Sequence, residues 1–229
     1  MKKTLKRILY GLLVLLALGL IFNKQIAQFI LEHFHPKIQH DSKQKGMYDW
    51  SKVKNISSLD IILGRLSSNR LDFIGMVAVP KLGVSLPISR GLADVNLSLG
   101  AGTMYNNQKM GQGNYALASH FMPGQKNSTV LFSPLYYKFD GQTNKRKIYL
   151  TDTKKVYTYK ATRYAKIAAT DVSVVAPVEG KKLVTLITCN YTADAGRIVL
   201  QGELVKTRTW KQTPKKIQKY FVSDNRWIK

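Results

Sequence analysis

The sequence predicts a mainly β domain, a sandwich or a barrel, behind a helical N-terminus. From Phe73 onward, short runs rich in apolar, aromatic and β-branched residues recur at 73–79, 84–88, 115–119, 129–132, 147–151, 156–167, 183–188 and 198–205. Gly, Pro and Asn separate them, as in the turn Pro80-Lys81-Leu82-Gly83. No long amphipathic helix alternates with these runs, which argues against a doubly wound parallel sheet. With 229 residues, 45% of them hydrophobic, the chain can bury one good core but not two large ones.

The N-terminal element comes first. Met1 to Arg7 is basic and Ile8 to Phe22 is uncharged and dominated by leucine. This run is a little short of the roughly 20 residues a spanning helix needs, unless Leu5 and the Ile26–Leu31 patch contribute and Lys24 snorkels. A cleaved signal peptide has similar dimensions, but Ala17-Leu18-Gly19 is a poor cleavage site because Leu20-Ile21-Phe22 continues the apolar run. The reading is an uncleaved anchor. Basic residues concentrate before the span, so the positive-inside rule puts the N-terminus in the cytoplasm and the rest of the chain outside. This gives 1–31 as basic tip and transmembrane anchor, 32–54 as polar stalk, and 55–229 as extracellular domain.

The stalk contains His33, His35 and His40 near several lysines. With only Glu32 and Asp41 as acidic companions and no rigid element to hold a geometry, they read as solvated residues rather than metal ligands. From Asn55 to Leu66, Ile56, Leu59, Ile62, Leu63 and Leu66 recur at helical spacing behind Ser57 and Ser58, which predicts a short amphipathic helix packed on the domain. At the far end, Thr213 and Pro214 read as N-cap and first-turn proline of a basic helix running through Ile217, Tyr220 and Phe221.

The formal net charge is +23 and there is one cysteine. The charge favours an anionic partner. For a domain outside the cell membrane that points to lipid or wall polymer and away from nucleic acid, unless the lysines simply solvate the surface. A single cysteine excludes a disulfide framework and leaves Cys189 as either an inert core residue or a reactive thiol.

Cys189 stands where the predicted strand Leu183–Thr188 ends, and the strand after it opens on Arg197. If the two pair as a hairpin, thiol and guanidinium share one rim of the sheet. Of the four histidines, only His120 follows a strand, Tyr115–Ser119, and precedes a loop. Each residue alone has an ordinary structural reading. Together they are a set for acyl transfer: a thiol nucleophile, an imidazole to protonate the leaving amine, and a cation for the charge developing on the carbonyl oxygen.

At these residues the sequence resembles a family. Thr185-Leu186-Ile187-Thr188-Cys189 is similar to the TLxTC signature of sortases, the membrane-anchored cysteine transpeptidases of Gram-positive bacteria, and most closely those of class A. The likeness runs from about Phe73 to Val205 and includes Leu86-Pro87-Ile88, Gly100–Met104, Ala118-Ser119-His120, Leu131–Leu135 and Arg197. It implies a closed β-barrel of about eight strands with short helices, and no cofactor. Cys189, His120 and Arg197 occupy the family's catalytic positions. The implied reaction cleaves an LPxTG-type sorting signal between Thr and Gly, leaves a thioester on Cys189, and transfers the protein to an amine of a peptidoglycan precursor. His120 would act as general acid and then base, and Arg197 would hold the oxyanion or the substrate backbone. Ala118, Ile187 and Thr188 would line the groove for the Leu-Pro part, with Val174, Val175, Ala176 and Pro177 as its other wall.

Two positions depart from the family pattern. Some class A enzymes hold calcium with acidic residues before the histidine, but nothing between Asp94 and Asp140 is Asp or Glu, so no calcium site is expected there. Ser119 stands where many relatives have glycine. Two rivals are weighed: another thiol acyl-transferase, such as a pilin-polymerising sortase, and a non-enzymatic membrane-tethered basic module binding wall polymer. The first usually carries a second, C-terminal span, and Lys206–Lys229 has no apolar run to make one. The second predicts that Cys189→Ala leaves function intact.

Overall fold

The structure, a computed structural model, describes residues 2–34, 36–39, 46–50, 53, 56–68, 71–123, 130–143 and 146–221. His35, His40 and Asp41 lie outside these.

Helix α1 (Lys2–Ile21) is followed after one residue by α2 (Asn23–Glu32). The helical hydrogen bonds run through the junction: Phe22 N donates to Leu18 O and Ile26 N to Phe22 O, both at 2.9 Å. Lys3–Ile21 is long and apolar enough to cross a membrane, and none of it is buried. Its 20-residue helix rises about 30 Å, the thickness of a bilayer core. α2 instead packs on α3 (Ser58–Ser67), with Ala27 fully buried and Leu31 reaching the barrel. Ala27 and Leu31 of the α2 patch therefore contact the domain, whereas Ile26 and Phe29 stay exposed.

α3 opens with a capping box: Asp60 N donates to Ser57 Oγ at 3.3 Å, and Ser57 N donates to Asp60 Oδ2 at 2.7 Å. The predicted helix is present, but it is turned from the predicted face. Ile61 and Gly64 are buried, whereas Leu59, Leu63 and Leu66 are more than half exposed. Gly64 sets this rotation, because a Cβ there would stand 2.7 Å from Ser98 Oγ and hold α3 away from α4 (Asp94–Leu99).

Eight strands close a barrel in the order β1-β2-β3-β4-β7-β8-β6-β5. They are β1 (Phe73–Val79), β2 (Val84–Ser89), β3 (Ala101–Thr103), β4 (Asn114–Ala118), β5 (Lys147–Thr151), β6 (Lys155–Ile167), β7 (Leu183–Asn190) and β8 (Thr192–Thr209). Closure removes the exposed edges an open sheet would present. Seven strands lie where the sequence puts them. The run at 129–132 is not a strand: Val130–Phe132 form a turn, Leu131 adopts a φ of 52°, and the chain enters α5 (Ser133–Tyr137), while Thr129 lies outside the described residues. Burial explains the composition, since Val130, Leu131 and Phe132 all pack in the barrel core. The eighth strand is β3, whose Gly102 passes so close to the neighbouring chain that a Cβ would collide with the Gly91 carbonyl.

Two flanking segments also differ from expectation. Within 32–54, Phe34 and Ile38 are buried in a cluster with Phe73, Ile38 bridges Phe73, and the Met47 carbonyl accepts from Leu92 N at 2.6 Å. At the C-terminal end α6 (Lys215–Gln218) begins after Pro214, one residue late. Thr213 does not cap it; its Oγ1 donates to Thr209 O at 2.9 Å and ties the helix to the end of β8.

Candidate active site

Strand alternation builds the site. Successive side chains in a strand point to opposite faces, and the barrel core takes Tyr115 and Leu117 from β4, Val184 and Leu186 from β7, and Ile198 and Leu200 from β8. The residues between them, Ala116, Ala118, Ile187 and Val199, form a second cluster on the outer face with Leu92, Leu97, Met104 and Val174. Cys189 follows the parity of Ile187, and Arg197 that of Val199. His120 follows Ala118.

Cross-strand register brings these residues together. β7 and β8 are antiparallel and Cys189 faces Arg197 directly, after which the register breaks and Asn190 faces Thr192. β4 runs parallel to β7 with Ala118 opposite Ile187, and Ser119 N donates to Ile187 O at 3.3 Å, which carries His120 toward Cys189. Ser119 Oγ donates to Gly100 O at 2.6 Å, so the hydroxyl at this position is used in packing β4 against β3.

Cys189, His120 and Arg197 line one cavity of about 220 Å³. Ala118, Ile187, Thr188 and Val175 line it too. Val174 does not: its side chain is buried beneath the cavity, and its carbonyl accepts from Asn114 Nδ2 (3.0 Å), Gln201 Nε2 (3.2 Å) and Thr185 Oγ1 (3.4 Å). Asn114 Nδ2 also donates to Ala176 O at 3.1 Å, Thr185 Oγ1 to Asn114 Oδ1 at 2.8 Å, and Gln201 Nε2 to Thr185 Oγ1 at 2.9 Å. Val174 and Ala176 therefore moor the loop that presents Val175. Pro177 stands near Gly113, outside the lining. Thr188 has the inward parity, and its Oγ1 is buried with no hydrogen-bond partner among the described residues.

The cavity has lining residues that sequence reasoning passed over. Trp50 and Val53 reach it from the segment read as stalk, Leu92 and Leu97 from around α4, and Asp171 and Val172 from the stretch after β6. A tryptophan inside an otherwise polar stretch was the one available signal, although Trp50 lines the cavity while staying 40% exposed. The α4 leucines had none, because six residues are too few to display a helical period.

Burial sets the resting protonation. It pushes the His120 imidazole down to about 4, against a smaller upward pull from Asp94 and Asp60. It pushes the Cys189 thiol up, with the Arg197 guanidinium pulling the other way. At neutral pH the pair is thus an uncharged thiol beside an uncharged imidazole.

Comparison with known proteins places this geometry. A sortase domain profile matches residues 77–205. Sortase A of Streptococcus agalactiae serotype III (strain NEM316) is 39% identical over 226 residues, 93% of this chain and 90% of the relative. Sortase A of Listeria monocytogenes serovar 1/2a is 33% identical over 96% of this chain and 99% of its own length. The crystal structure of Listeria monocytogenes sortase A superposes with a TM-score of 0.56 at 39% identity, covering 65% of this chain and 97% of that one. A barrel whose only cysteine faces an arginine across a hairpin, matched over most of its length by two sortases A, leaves one assignment: the chain belongs to the sortase family of cysteine transpeptidases.

Proposed function

We propose that this transpeptidase acts on LPxTG-type sorting signals and transfers the cleaved protein to an amine of a peptidoglycan precursor, with Cys189, His120 and Arg197 as its catalytic residues. The observation that carries the reading is the direct pairing of Cys189 with Arg197 at the mouth of an apolar cavity that His120 also lines.

In the first half-reaction the thiol proton passes to the His120 imidazole as Sγ bonds to the threonine carbonyl carbon, and the oxygen takes up charge beside the Arg197 guanidinium. As the tetrahedral species collapses, the C–N bond breaks and His120 gives its proton to the leaving amine. A thioester remains. In the second half-reaction the acceptor's neutral amine attacks the thioester carbonyl and its proton passes to His120. The C–S bond then breaks, and the sulfur recovers a proton as the new amide departs. Starting from an uncharged pair, the enzyme keeps its thiol shielded from oxidants and ionises it only against bound substrate. Ala118, Ile187, Thr188 and Val175 serve as the Leu-Pro subsite.

The anchor in this reading is Lys3–Ile21 with its basic end in the cytoplasm and the barrel outside. Membership of an enzyme family sets aside the non-enzymatic basic module. The test is a quenched fluorescent LPxTG peptide incubated with the full chain in detergent, with and without an added amine, and mass spectrometry of the trapped protein. We expect cleavage, an acyl adduct on Cys189, and a loss of at least about a thousandfold in Cys189→Ala. Equal cleavage by wild type and Cys189→Ala would remove the mechanism.

A further inference from the structure

We propose that the aromatic cluster of Phe121, Tyr136, Tyr137 and Tyr191 is the acceptor subsite, where the one or two residues next to the attacking amine bind. The proposal rests on the transpeptidation reading above and adds the place from which the second substrate arrives.

Because β4 and β7 are parallel, they leave the barrel rim in the same direction. Phe121 lies one residue past His120 and Tyr191 two past Cys189, and their rings meet with centroids 5.9 Å apart. Tyr136 stands 4.8 Å from Phe121 and 6.1 Å from Tyr191, and Tyr137 stands 5.4 Å from Phe121. None of the four lines the cavity assigned to the Leu-Pro part. The cluster is therefore a surface separate from the cavity, built around Phe121 and Tyr191, which closely follow His120 and Cys189 in the chain.

The cluster is held in place, with Phe121 buried as its floor, Tyr136 and Tyr137 half-buried and Tyr191 exposed. Phe132 N donates to His120 O at 3.2 Å and Met122 N donates to Ser133 Oγ at 2.9 Å, which fixes Phe121 against α5. On the other side Asn190 Nδ2 donates to Ala195 O at 2.8 Å and closes the hairpin behind Tyr191. Tyr191 adopts a φ of 69°, a conformation that costs energy for a bulky residue, and still leaves 57% of its surface exposed. An aromatic side chain held in a costly backbone conformation with much of its surface in solvent gains little from folding alone, and an occupant supplies what folding does not.

The chemistry suits an uncharged peptide. Ring faces pack on flat amide groups, the Tyr136 and Tyr191 hydroxyls can bond to their polar edges while that of Tyr137 donates to Met122 O at 3.5 Å, and no member of the cluster carries a charge. Length agrees as well. An extended chain advances about 3.3–3.6 Å per residue, so an acceptor with its amine at the thioester carbonyl lays its next one or two peptide units over rings only one or two residues from His120 and Cys189. The step itself is unchanged: a C–N bond forms, the C–S bond breaks, and the amine proton passes through His120 to the sulfur.

The test compares glycinamide with triglycinamide as acceptors for the full-length enzyme acylated by an LPxTG peptide. For wild type we expect the longer amine to have the lower KM. In Tyr191→Ala the KM for triglycinamide should rise about five-fold, approaching that for glycinamide, while hydrolysis without amine and kcat/KM for the sorting peptide stay unchanged. Tyr191→Phe should restore the preference. An unaltered length preference in Tyr191→Ala, an equal loss for both amines, or a loss confined to acylation would overturn the proposal. If wild type forms no thioester at all, it is the underlying functional reading that fails.

Discussion

The buried His120 couples the proposed catalytic rim to the stability of the whole fold. Its folded pKa is about 4, below the unfolded value near 6.5, so the unfolded chain binds a proton that the folded one excludes. This contribution is intact above about pH 6.5, is lost progressively as pH falls toward 4, and is constant below that; the full loss is about 3 kcal/mol. Urea titrations between pH 7 and 4 should show the unfolding midpoint falling in wild type and falling less in His120→Asn. A second expectation concerns Cys189, whose thiol sits above the ordinary range because it is buried. At pH 7.5 iodoacetamide should alkylate it more slowly than it does free cysteine. Arg197→Ala, which removes the cation opposing that shift, should displace the rate profile to still higher pH.

At the scale of elements, the loop before β7 depends on buried polar groups of the outer face. Asn114, Thr185 and Gln201 share that face with Ala118, Ile187 and Cys189, and their hydrogen bonds converge on Val174 and Ala176. Thr185→Val keeps the shape but strips Asn114 Oδ1 of its donor, at a cost of about 1–3 kcal/mol. A lower melting temperature, together with a raised KM for the sorting peptide and little change in kcat, is the expected result, read by calorimetry and steady-state kinetics. The same face explains what was legible beforehand. The hairpin joining Cys189 to Arg197 could be read because β7 and β8 are long and rich in β-branched residues. β3 could not, since Ala101, Gly102 and Thr103 are chosen for close approach rather than for strand propensity. Val130–Phe132 misled for the opposite reason: a buried turn and a buried strand both read as continuous apolar runs. Val174 and Val175 are indistinguishable by composition, and only the 3-10 turn they occupy sends one into the core and the other to the cavity.

At the scale of the molecule, α1 and the barrel are joined with almost no intervening chain. α2 begins one residue after α1 and is already docked on α3. A chain starting at Asn23 should therefore keep a folded barrel and move to the aqueous phase in a detergent partition assay, while the full chain stays with detergent. Retention of the truncated chain by detergent would show that α2 or the exposed leucines of α3 bind lipid. The hydrogen-bonded junction at Phe22 has a further meaning for the cell. With α1 as the proposed anchor, an enzyme on so short a leash would have no reach into the thickness of a wall. In the proposed orientation it would patrol a layer about one protein deep and meet its clients only as they surface from the bilayer.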